Sequence, residues 1–321
     1  FHAYDGIRAR SPSRGLGDVY KRQLLDQAGY FDINPTDVGD DIREATVFAL
    51  ETMGVPVEYH HSEVGPSQHE IDIRYQEALR MADNLQTYKY IVKEVARRCG
   101  VFATFMPKPL PGENGSGMHV HLSIFNDENT NAFYDKNDPQ HLSGTAKHFI
   151  AGVLDHAREI ALVTNQTYNS YKRLVPGYEA PVYIAWAERN RSASVRIPLY
   201  KPGKEVATRM ELRFPDPTCN PYLAFSVMLS AGLDGLTNKT GIPDEMTMDL
   251  YKLSNSDRKK LNIEALPHDL FEAVEVAESS EFLKEALGED VHGKLIETKH
   301  SEVDKFRLHV SDKDLREHLI L

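Results

Sequence analysis

A glycine-rich loop that runs into a histidine-bearing strand is the segment of this sequence best suited to chemistry. Residues 108–123 read KPLPGENGSGMHVHLS. Glycine lets the backbone approach a ligand closely and adopt positive φ. His119 and His121 lie two residues apart, so a strand would point both imidazoles to the same face. Taken alone, the segment fits a tight turn before a half-buried strand equally well.

Two glutamates earlier in the chain could converge on a cation. Glu63 and Glu70 are seven residues apart and would face opposite sides of one straight strand. The Gly65-Pro66 break between them could instead fold the chain so that both carboxylates meet. Converging carboxylates repel unless a cation lies between them, and a hard divalent ion such as Mg²⁺ suits oxygen ligands. Two solvated acids flanking a turn are the alternative interpretation.

Arginines occur where phosphate groups could be held. Arg209, Glu211 and Arg213 alternate with apolar residues, which predicts a strand with one apolar and one charged face. Guanidinium groups match phosphate and carboxylate oxygens in geometry, and a metal could lie between them. An ordinary sheet with a solvated side is the alternative. The segment 189–198 carries three more arginines, for which a basic surface turn is the alternative.

The polar segment 169–181 lacks helical or strand periodicity, so it is either a connector or a flap that faces substrate. Together, the carboxylates, the histidine pair, the glycine loop and the arginines suit phosphoryl transfer. In that chemistry metals neutralise the phosphates and arginines stabilise the migrating group. A zinc metallohydrolase would use the histidines and glutamates but would not need so many arginines.

The composition is that of a globular protein and argues against other classes. The 321 residues are 41% hydrophobic and 26% charged, with a formal net charge of −11. Without a basic stripe, nucleic acid is not expected as a partner. No apolar run reaches the roughly 20 residues that span a bilayer, and the start lacks a signal-peptide pattern. We expect Cys99 and Cys219 to be small core residues of a reducing compartment, with the cytoplasm as the default location.

Residues 1–22 show no periodicity, and we expect them to be a leader outside a domain that covers 23–321. Thr36 and Asp37 offer caps for a first helix. Hydrophobic spacing predicts helices at 40–53, 74–98, 142–163, 220–238 and from about 245 onward. Strands are expected within 181–214. This order of elements indicates an α+β fold with a largely antiparallel sheet.

Five segments, taken in order, resemble the glutamine synthetase family, in its class I bacterial and archaeal type. The match to the family's ATP-region signature covers 108–123 without a break, and the other segments are 29–32, 165–181, 189–198 and 211–222. The resemblance extends from about residue 23 to the C-terminus. It implies a curved, largely antiparallel sheet backed by helices, with a helical C-terminal portion at about 245–321.

The resemblance also implies a role for each candidate residue. Metal would be bound by Glu63 and Glu70 at one position, and by His119 and Glu211 at a second position on the ATP phosphates. Glutamate would be held by Asn114, Gly115, Arg173 and Arg213. ATP would be bound by Glu58, Tyr75, His121, Ser123, Arg196 and Arg209. The catalytic set would be Glu179 as the acid of the flap, Arg191 on phosphate and Tyr30 in the ammonium pocket.

The implied reaction is the ATP-dependent ligation of ammonia to the side-chain carboxylate of L-glutamate. The γ-phosphate passes to the carboxylate, ammonia displaces it, and glutamine, ADP and phosphate result. Two Mg²⁺ or Mn²⁺ ions per site and a dodecamer of two stacked hexameric rings are family properties. A γ-glutamyl-polyamine or other γ-glutamyl-amine synthetase, and a truncated subunit without turnover, are the alternatives within the family.

Two departures from the family pattern concern the start of the chain. The family has a small N-terminal β-grasp domain, which helps to complete a neighbouring active site, and a Glu-x-Glu strand ahead of the segment 29–32. We find neither, and residues 1–22, which we expect not to be native sequence, stand in that place. If the sequence is complete as given, both metal sites lose a carboxylate, and we then expect strongly weakened metal binding and poor or absent catalysis. Without the N-terminal domain we expect impaired assembly. Val206 stands where some relatives have lysine, for which Lys204 or Lys201 could substitute.

Overall fold

The computed structural model describes residues 2–5 and 24–319 of the chain. Most of the expected leader, residues 6–22, lies outside the described residues, so its nature stays a prediction. The short strand β1 (His2–Asp5) is described and pairs in antiparallel fashion with β4 (Val101–Thr104). Within the described ranges, no helix is both long enough and apolar enough to cross a lipid bilayer.

Two helices and a hairpin build the first part of the fold. They are α1 (Asp40–Thr52), β2 (Val57–Ser62), β3 (His69–Ile73) and α2 (Ala78–Arg98). Helix α1 contacts both helix α2 and the β2–β3 hairpin. Their apolar faces share a core around Leu50 and Val92, both fully buried. This core supports the hairpin that carries the two glutamates.

Helix α1 begins at residue 40 as predicted, but its capping and the start of helix α2 differ from the sequence prediction. Helix α1 has no side-chain cap, from Thr36 or from Asp37. Asp37 instead forms a buried ion pair with Arg43, because a buried carboxylate needs a charged partner. Helix α2 begins later than residue 74, since Arg74 donates its backbone N–H to the carbonyl of Pro56 at 3.0 Å and thereby extends the hairpin.

A four-stranded sheet forms the centre of the molecule. Its strands are β5 (Val120–Leu122), β6 (Tyr183–Ala187), β7 (Ala193–Arg196) and β8 (Met210–Leu212), in the spatial order β5, β8, β7, β6. The pairs β5/β8 and β7/β8 are antiparallel, and β6/β7 is parallel. The α+β class with a largely antiparallel sheet is confirmed. Met210 and Leu212 are fully buried in the main core, as their alternation predicts.

Helices α3 (Gly144–Asp155), α4 (Ala157–Thr164), α5 (Tyr168–Arg173) and α6 (Pro221–Asn238) share that core. The single helix predicted at 142–163 is wrong, because the chain breaks at His156. The imidazole of this residue contacts the carboxylates of Glu159 and Asp234, each at 3.1 Å. Helix α6 begins as predicted, with the Asn220 side chain accepting the backbone N–H of Tyr222.

Part of the segment 169–181 is helical, which the sequence did not predict. Helix α5 begins with a capping box, in which Thr167 and Ser170 accept each other's backbone N–H. A helix of six residues is too short to show a hydrophobic period. The remainder of the segment is a connection to strand β6, as expected.

The C-terminal part is helical, as its pattern predicts. Its helices are α7 (Asn255–Lys260), α8 (Leu270–Glu278), α9 (Glu281–Leu287), α10 (Glu289–Arg307) and α11 (Asp312–His318). Both cysteines are free; Cys219 is buried as expected, whereas Cys99 is exposed. The prediction for Cys99 is wrong because this residue ends helix α2 at the surface.

Helices α3 and α6 approach each other closely at two glycines. A Cβ on Gly152 would lie 2.6 Å from the backbone nitrogen of Gly235, and a Cβ on Gly235 would lie 2.6 Å from that of Gly152. A neighbouring backbone cannot move aside as the end of a flexible side chain can. These glycines therefore set the spacing of two helices in the main core.

We expect Gly235→Ala to destabilise the protein by about 2 kcal/mol, because helix α6 must shift away from helix α3. The helix-propensity gain of about 1 kcal/mol does not offset this shift. Gly293→Ala is the matched control, since a Cβ there meets only open space on helix α10, and it should stabilise. Thermal denaturation measures both variants. Equal effects of the two substitutions would contradict the close approach.

Candidate active site

A cleft of about 1030 Å³ lies between the β2–β3 hairpin and the central sheet. Every residue to which the sequence analysis gave a site role lines this cleft. They are Tyr30, Glu58, Glu63, Glu70, Tyr75, Asn114, Gly115, His119, His121, Ser123, Arg173, Glu179, Arg191, Arg196, Arg209, Glu211 and Arg213. Segments far apart in sequence thus meet in one cavity, although the individual roles of these residues stay predictions.

The β2–β3 hairpin brings Glu63 and Glu70 together. Its register places His61 opposite Glu70. The turn closes where Glu63 donates its backbone N–H to the carbonyl of Gln68 at 2.7 Å, and Gln68 donates to Gly65 at 3.0 Å. One donor atom from each of His61, Glu63 and Glu70 lies within 4.8 Å of the others. The break at Gly65 therefore makes the carboxylates converge.

Glu63, Glu70 and Asp72 form a group that we name the acid hairpin. Desolvation, together with the neighbouring Glu70, raises the pKa of Glu63 to about 7. Desolvation also raises the pKa of Glu70 and, with nearby acids, brings that of Asp72 to about 6. A divalent cation would relieve this repulsion, and carboxylate oxygens with an imidazole nitrogen are suitable ligands. The residues present therefore fit a metal ion.

The charged face of strand β8 is buried, so the alternative of a solvated sheet surface is wrong. Only 3% of Glu211 is exposed. Its carboxylate is paired with Arg196, and lies 3.4 Å from Nε of Arg213 and 3.3 Å from Nδ1 of His119. We name these four residues the charged strand face. A buried carboxylate needs such partners because desolvation of a lone charge is costly.

His119, directly before strand β5, and His121, within it, are uncharged at neutral pH. Desolvation in the cleft and the nearby Arg213 lower the pKa of His119 well below its usual value. Desolvation and Arg209 lower the pKa of His121 to about 4. The Nε–H of Arg209 donates to Nδ1 of His121 at 2.9 Å. A neutral imidazole is the form that binds a metal ion, which suits the predicted role of His119.

The glycine loop packs directly on Arg173. A Cβ on Gly115 would lie 2.9 Å from Cγ of Arg173, and a Cβ on Gly117 would lie 2.5 Å from its Nη2. The guanidinium donates to the carbonyls of Phe214 at 2.8 Å and Arg213 at 3.1 Å. Arg173 thus fixes the loop on the sheet, whereas the resemblance implies that it contacts the glutamate substrate. Burial lowers the pKa of Arg173 to about 10.

Exposed side chains form the rim of the cleft. Glu179 lies in the connection between α5 and β6, at a φ of 58° that is unusual outside glycine. The ring of Tyr30 stands edge-on to His61, with centroids 5.5 Å apart. Lys204 lines the cleft and Lys201 does not, so Lys204 is the better substitute for the lysine missing at 206.

The lining residues that the sequence analysis missed include His61, Asp72 and Lys89. His61 precedes Glu63 by two residues, and Asp72 follows Glu70 by two. The same period-two rule that paired His119 with His121 could have found both. Lys89 lies within helix α2, and no local signal distinguishes it from a surface lysine.

Comparison with known proteins identifies the family. The family profile described as glutamine synthetase, catalytic domain, matches residues 6–318. This chain belongs to the glutamine synthetase family. Glutamine synthetases of Thermotoga maritima and Methanosarcina mazei are 50% and 48% identical to it. The matches cover 93% and 92% of this chain, but 67% and 66% of the relatives. The chain thus spans about two thirds of the length of these curated relatives.

Solved structures of the glutamine synthetase fold agree with this assignment. GmaS in complex with ADP superposes with a TM-score of 0.84 at 30% identity, covering 93% of this chain and 69% of that one. Glutamine synthetase of Plasmodium falciparum, solved by cryo-electron microscopy, gives a TM-score of 0.81 at 29% identity. That match covers 92% of this chain and 64% of the other.

In metal-free protein, we expect Glu63→Gln to raise the melting temperature at pH 8 and to leave it nearly unchanged at pH 4. The folded chain holds a proton on Glu63 up to a pKa of about 7, against an ordinary value of 4.5. Stability therefore falls as the pH rises through this window. The gain at pH 8 should be on the order of 1–3 kcal/mol.

Thermal scans in EDTA at both pH values measure this difference. Glu51→Gln, at an exposed position on helix α1, is the matched control and should change stability little at either pH. A Glu63→Gln chain that is less stable than the parent at pH 8 would show that the negative charge of Glu63 does not destabilise the acid hairpin.

Proposed function

We propose that this protein ligates ammonia to the side-chain carboxylate of L-glutamate, with ATP as co-substrate and γ-glutamyl phosphate as the intermediate. One observation carries the proposal: a single cleft holds the acid hairpin on one side and the charged strand face on the other. The two groups interact electrostatically, because Glu211 contributes to the raised pKa values of Glu70 and Asp72. Relatives named glutamine synthetase at about 50% identity support the same activity.

Two metal positions fit these two groups. Glu63 and Glu70 would hold one ion, and His119 with Glu211 would hold the other. When bound, Mg²⁺ or Mn²⁺ supplies charge that neutralises phosphate and carboxylate oxygens. Glu211 is engaged by Arg196 and Arg213, and these two guanidinium groups would also attract the anionic substrates in the cleft.

The chain's own residues would position the substrates and protect the intermediate. Arg191, Arg196 and Arg209 would hold phosphate oxygens through guanidinium forks, which match them in geometry. Asn114 and Gly115 on the loop would hold the amino-acid end of glutamate, with Arg213 on its carboxylate. Glu179 and its connection would cover the cleft, because an acyl phosphate survives only where water is excluded. Tyr30 and the acid hairpin would form the ammonium pocket.

Assembly and location follow the family as proposals. A homo-oligomer, dodecameric in the family, is expected to complete each site. The part of the relatives that this chain does not span would take part in that assembly. The two free cysteines suit the reducing cytoplasm. A γ-glutamyl-amine synthetase would share the ATP, metal and glutamate groups and differ in the amine pocket.

The first test is which amine the protein uses as the acceptor. We expect release of ADP from Mg-ATP to require both glutamate and ammonium, because ammonia must displace the phosphate for turnover to continue. Methylammonium and putrescine, each in place of ammonium, are the controls for the amine-synthetase alternative. Dependence on putrescine instead of ammonium, or binding of Mg-ATP without any ADP release, would overturn the proposal.

Two neighbouring arginines give a second test. Arg191 lines the cleft, whereas Arg189 lies outside it and is exposed beside Glu188. We expect Arg191→Ala to lower kcat about 10²–10³-fold, the usual cost of one preorganised charge donor at a transition state. Arg189→Ala should leave the rate within twofold. Equal rates for the two variants would show that Arg191 does not act on phosphate.

A further inference from the structure

A buried side chain that does not line the cleft holds one edge of the cleft in place. Only 4% of Asn131 is exposed. Its amide nitrogen lies 3.2 Å from the carbonyl oxygen of Glu205, 3.0 Å from that of Val206 and 2.7 Å from that of Thr208. One side chain thus binds three carbonyls of a short segment, residues 204–208, which we name the rim turn.

The orientation of this amide follows from its partners. The side-chain oxygen of Asn131 accepts the backbone N–H of Phe133 at 2.9 Å. Carbonyl oxygens can only accept hydrogen bonds, so the nitrogen must face the rim turn, and its two N–H groups are shared among three carbonyls. A buried amide with both ends engaged cannot rotate without leaving polar groups unpaired, which is costly. Asn131 is therefore a fixed attachment for the turn.

The backbone around Asn131 is continuous with the central sheet. Residues 124–132 follow strand β5 and turn back on themselves, with the backbone N–H of Asn126 donating to the carbonyl of Thr130 at 3.0 Å. Strand β5 carries His121. The attachment of the rim turn and this histidine of the cleft therefore belong to one stretch of chain.

The rim turn controls where two cationic side chains enter the cleft. Lys204, at its start, and Arg209, directly after it, both line the cleft. The carbonyl of Ala207 accepts from Nη1 of Arg209 at 2.9 Å, while Nε of the same guanidinium donates to His121. Burial does not hold the turn, since 56% of Val206 is exposed. Its shape therefore depends on hydrogen bonds, including the three from Asn131.

We propose that Asn131 is a positioning residue for the nucleotide, which fixes the rim turn so that Lys204 and Arg209 are placed to meet ATP. The inference rests on the proposed function, in which Arg209 binds ATP. A turn that is ordered in advance reduces the entropy lost when the nucleotide binds. The glycine loop and Arg213 would hold glutamate, so Asn131 should affect the affinity for ATP and not that for glutamate.

The variant Asn131→Asp tests the inference with little change in size. An ionised carboxylate has no hydrogen to donate, so the three carbonyls lose their partner while Phe133 keeps its acceptor. We expect titration calorimetry to show Mg-ATP binding about tenfold weaker, with the affinity for glutamate within about twofold of the parent. The KM for ATP should rise by a similar factor, and kcat should change less.

Asn126→Asp is the matched control, because it makes the same substitution in the same stretch of chain. Asn126 accepts the backbone N–H groups of Glu128 at 3.1 Å and Thr130 at 2.8 Å, and a carboxylate accepts them equally well. Mg-ATP binding should therefore stay within about twofold. Asn131→Ala, which buries no charge, should also weaken Mg-ATP binding, and it keeps the test available if Asn131→Asp fails to fold.

Limited digestion with trypsin measures the rim turn itself. Lys201 is followed by proline, where trypsin does not cut, so Lys204 is the susceptible site at the turn. We expect cleavage after Lys204 to be faster in Asn131→Asp than in Asn126→Asp, and Mg-ATP to slow it in the parent chain. Equal cleavage of the two variants would contradict the attachment.

Unchanged Mg-ATP affinity in both Asn131 variants, or an equal loss of affinity for ATP and for glutamate, would overturn the inference. Ammonium-dependent ADP release by the parent chain would then still support the proposed function. A parent chain that binds Mg-ATP without releasing ADP would overturn the proposed function instead. A selective loss of ATP affinity in Asn131→Asp would still support the role of Asn131, so the two failures are distinguishable.

Discussion

The buried carboxylate of Glu211 is the group on which the geometry of the cleft depends. It lies at the middle of the sheet, where it is paired with Arg196 and close to Arg213 and His119. A lone buried charge would cost several kcal/mol, so strands β7 and β8 must keep their arginines beside it. The sheet therefore presents cationic groups to the cavity as a condition of its own stability.

The opposite side of the cleft has the opposite imbalance of charge, with an excess of acidic groups. In the acid hairpin, carboxylates are close together and desolvated. One side of the cavity consequently attracts cations and the other attracts anions. This separation of charge suits a reaction in which metal ions, a nucleotide and an amino acid must be held together.

Short-range patterns were enough to predict much of the fold and the residues of the cleft. Alternation around Glu211 and the cap at Asn220 are local signals, and the ordered segments of the family resemblance supplied the rest. The failures depend on distant or buried contacts. The break at His156 involves Asp234, 78 residues away, and Asp37 pairs with Arg43 inside the fold. His61 is a different kind of failure, because its position two residues before Glu63 is a local signal that the period-two rule could have used.

Arg173 gives the glycine loop and the end of strand β8 a common attachment. Its guanidinium holds two backbone carbonyls, and Gly115 and Gly117 rest against its side chain. A Cβ at Gly117 would displace the guanidinium, whereas a Cβ at Gly115 would lie 2.4 Å from the carbonyl oxygen of Pro107 and 2.9 Å from Cγ of Arg173. A side chain without the guanidinium fork would leave a carbonyl without its partner. Positions 117 and 173 are therefore free to diverge only together, so natural variation at one of them should be accompanied by variation at the other.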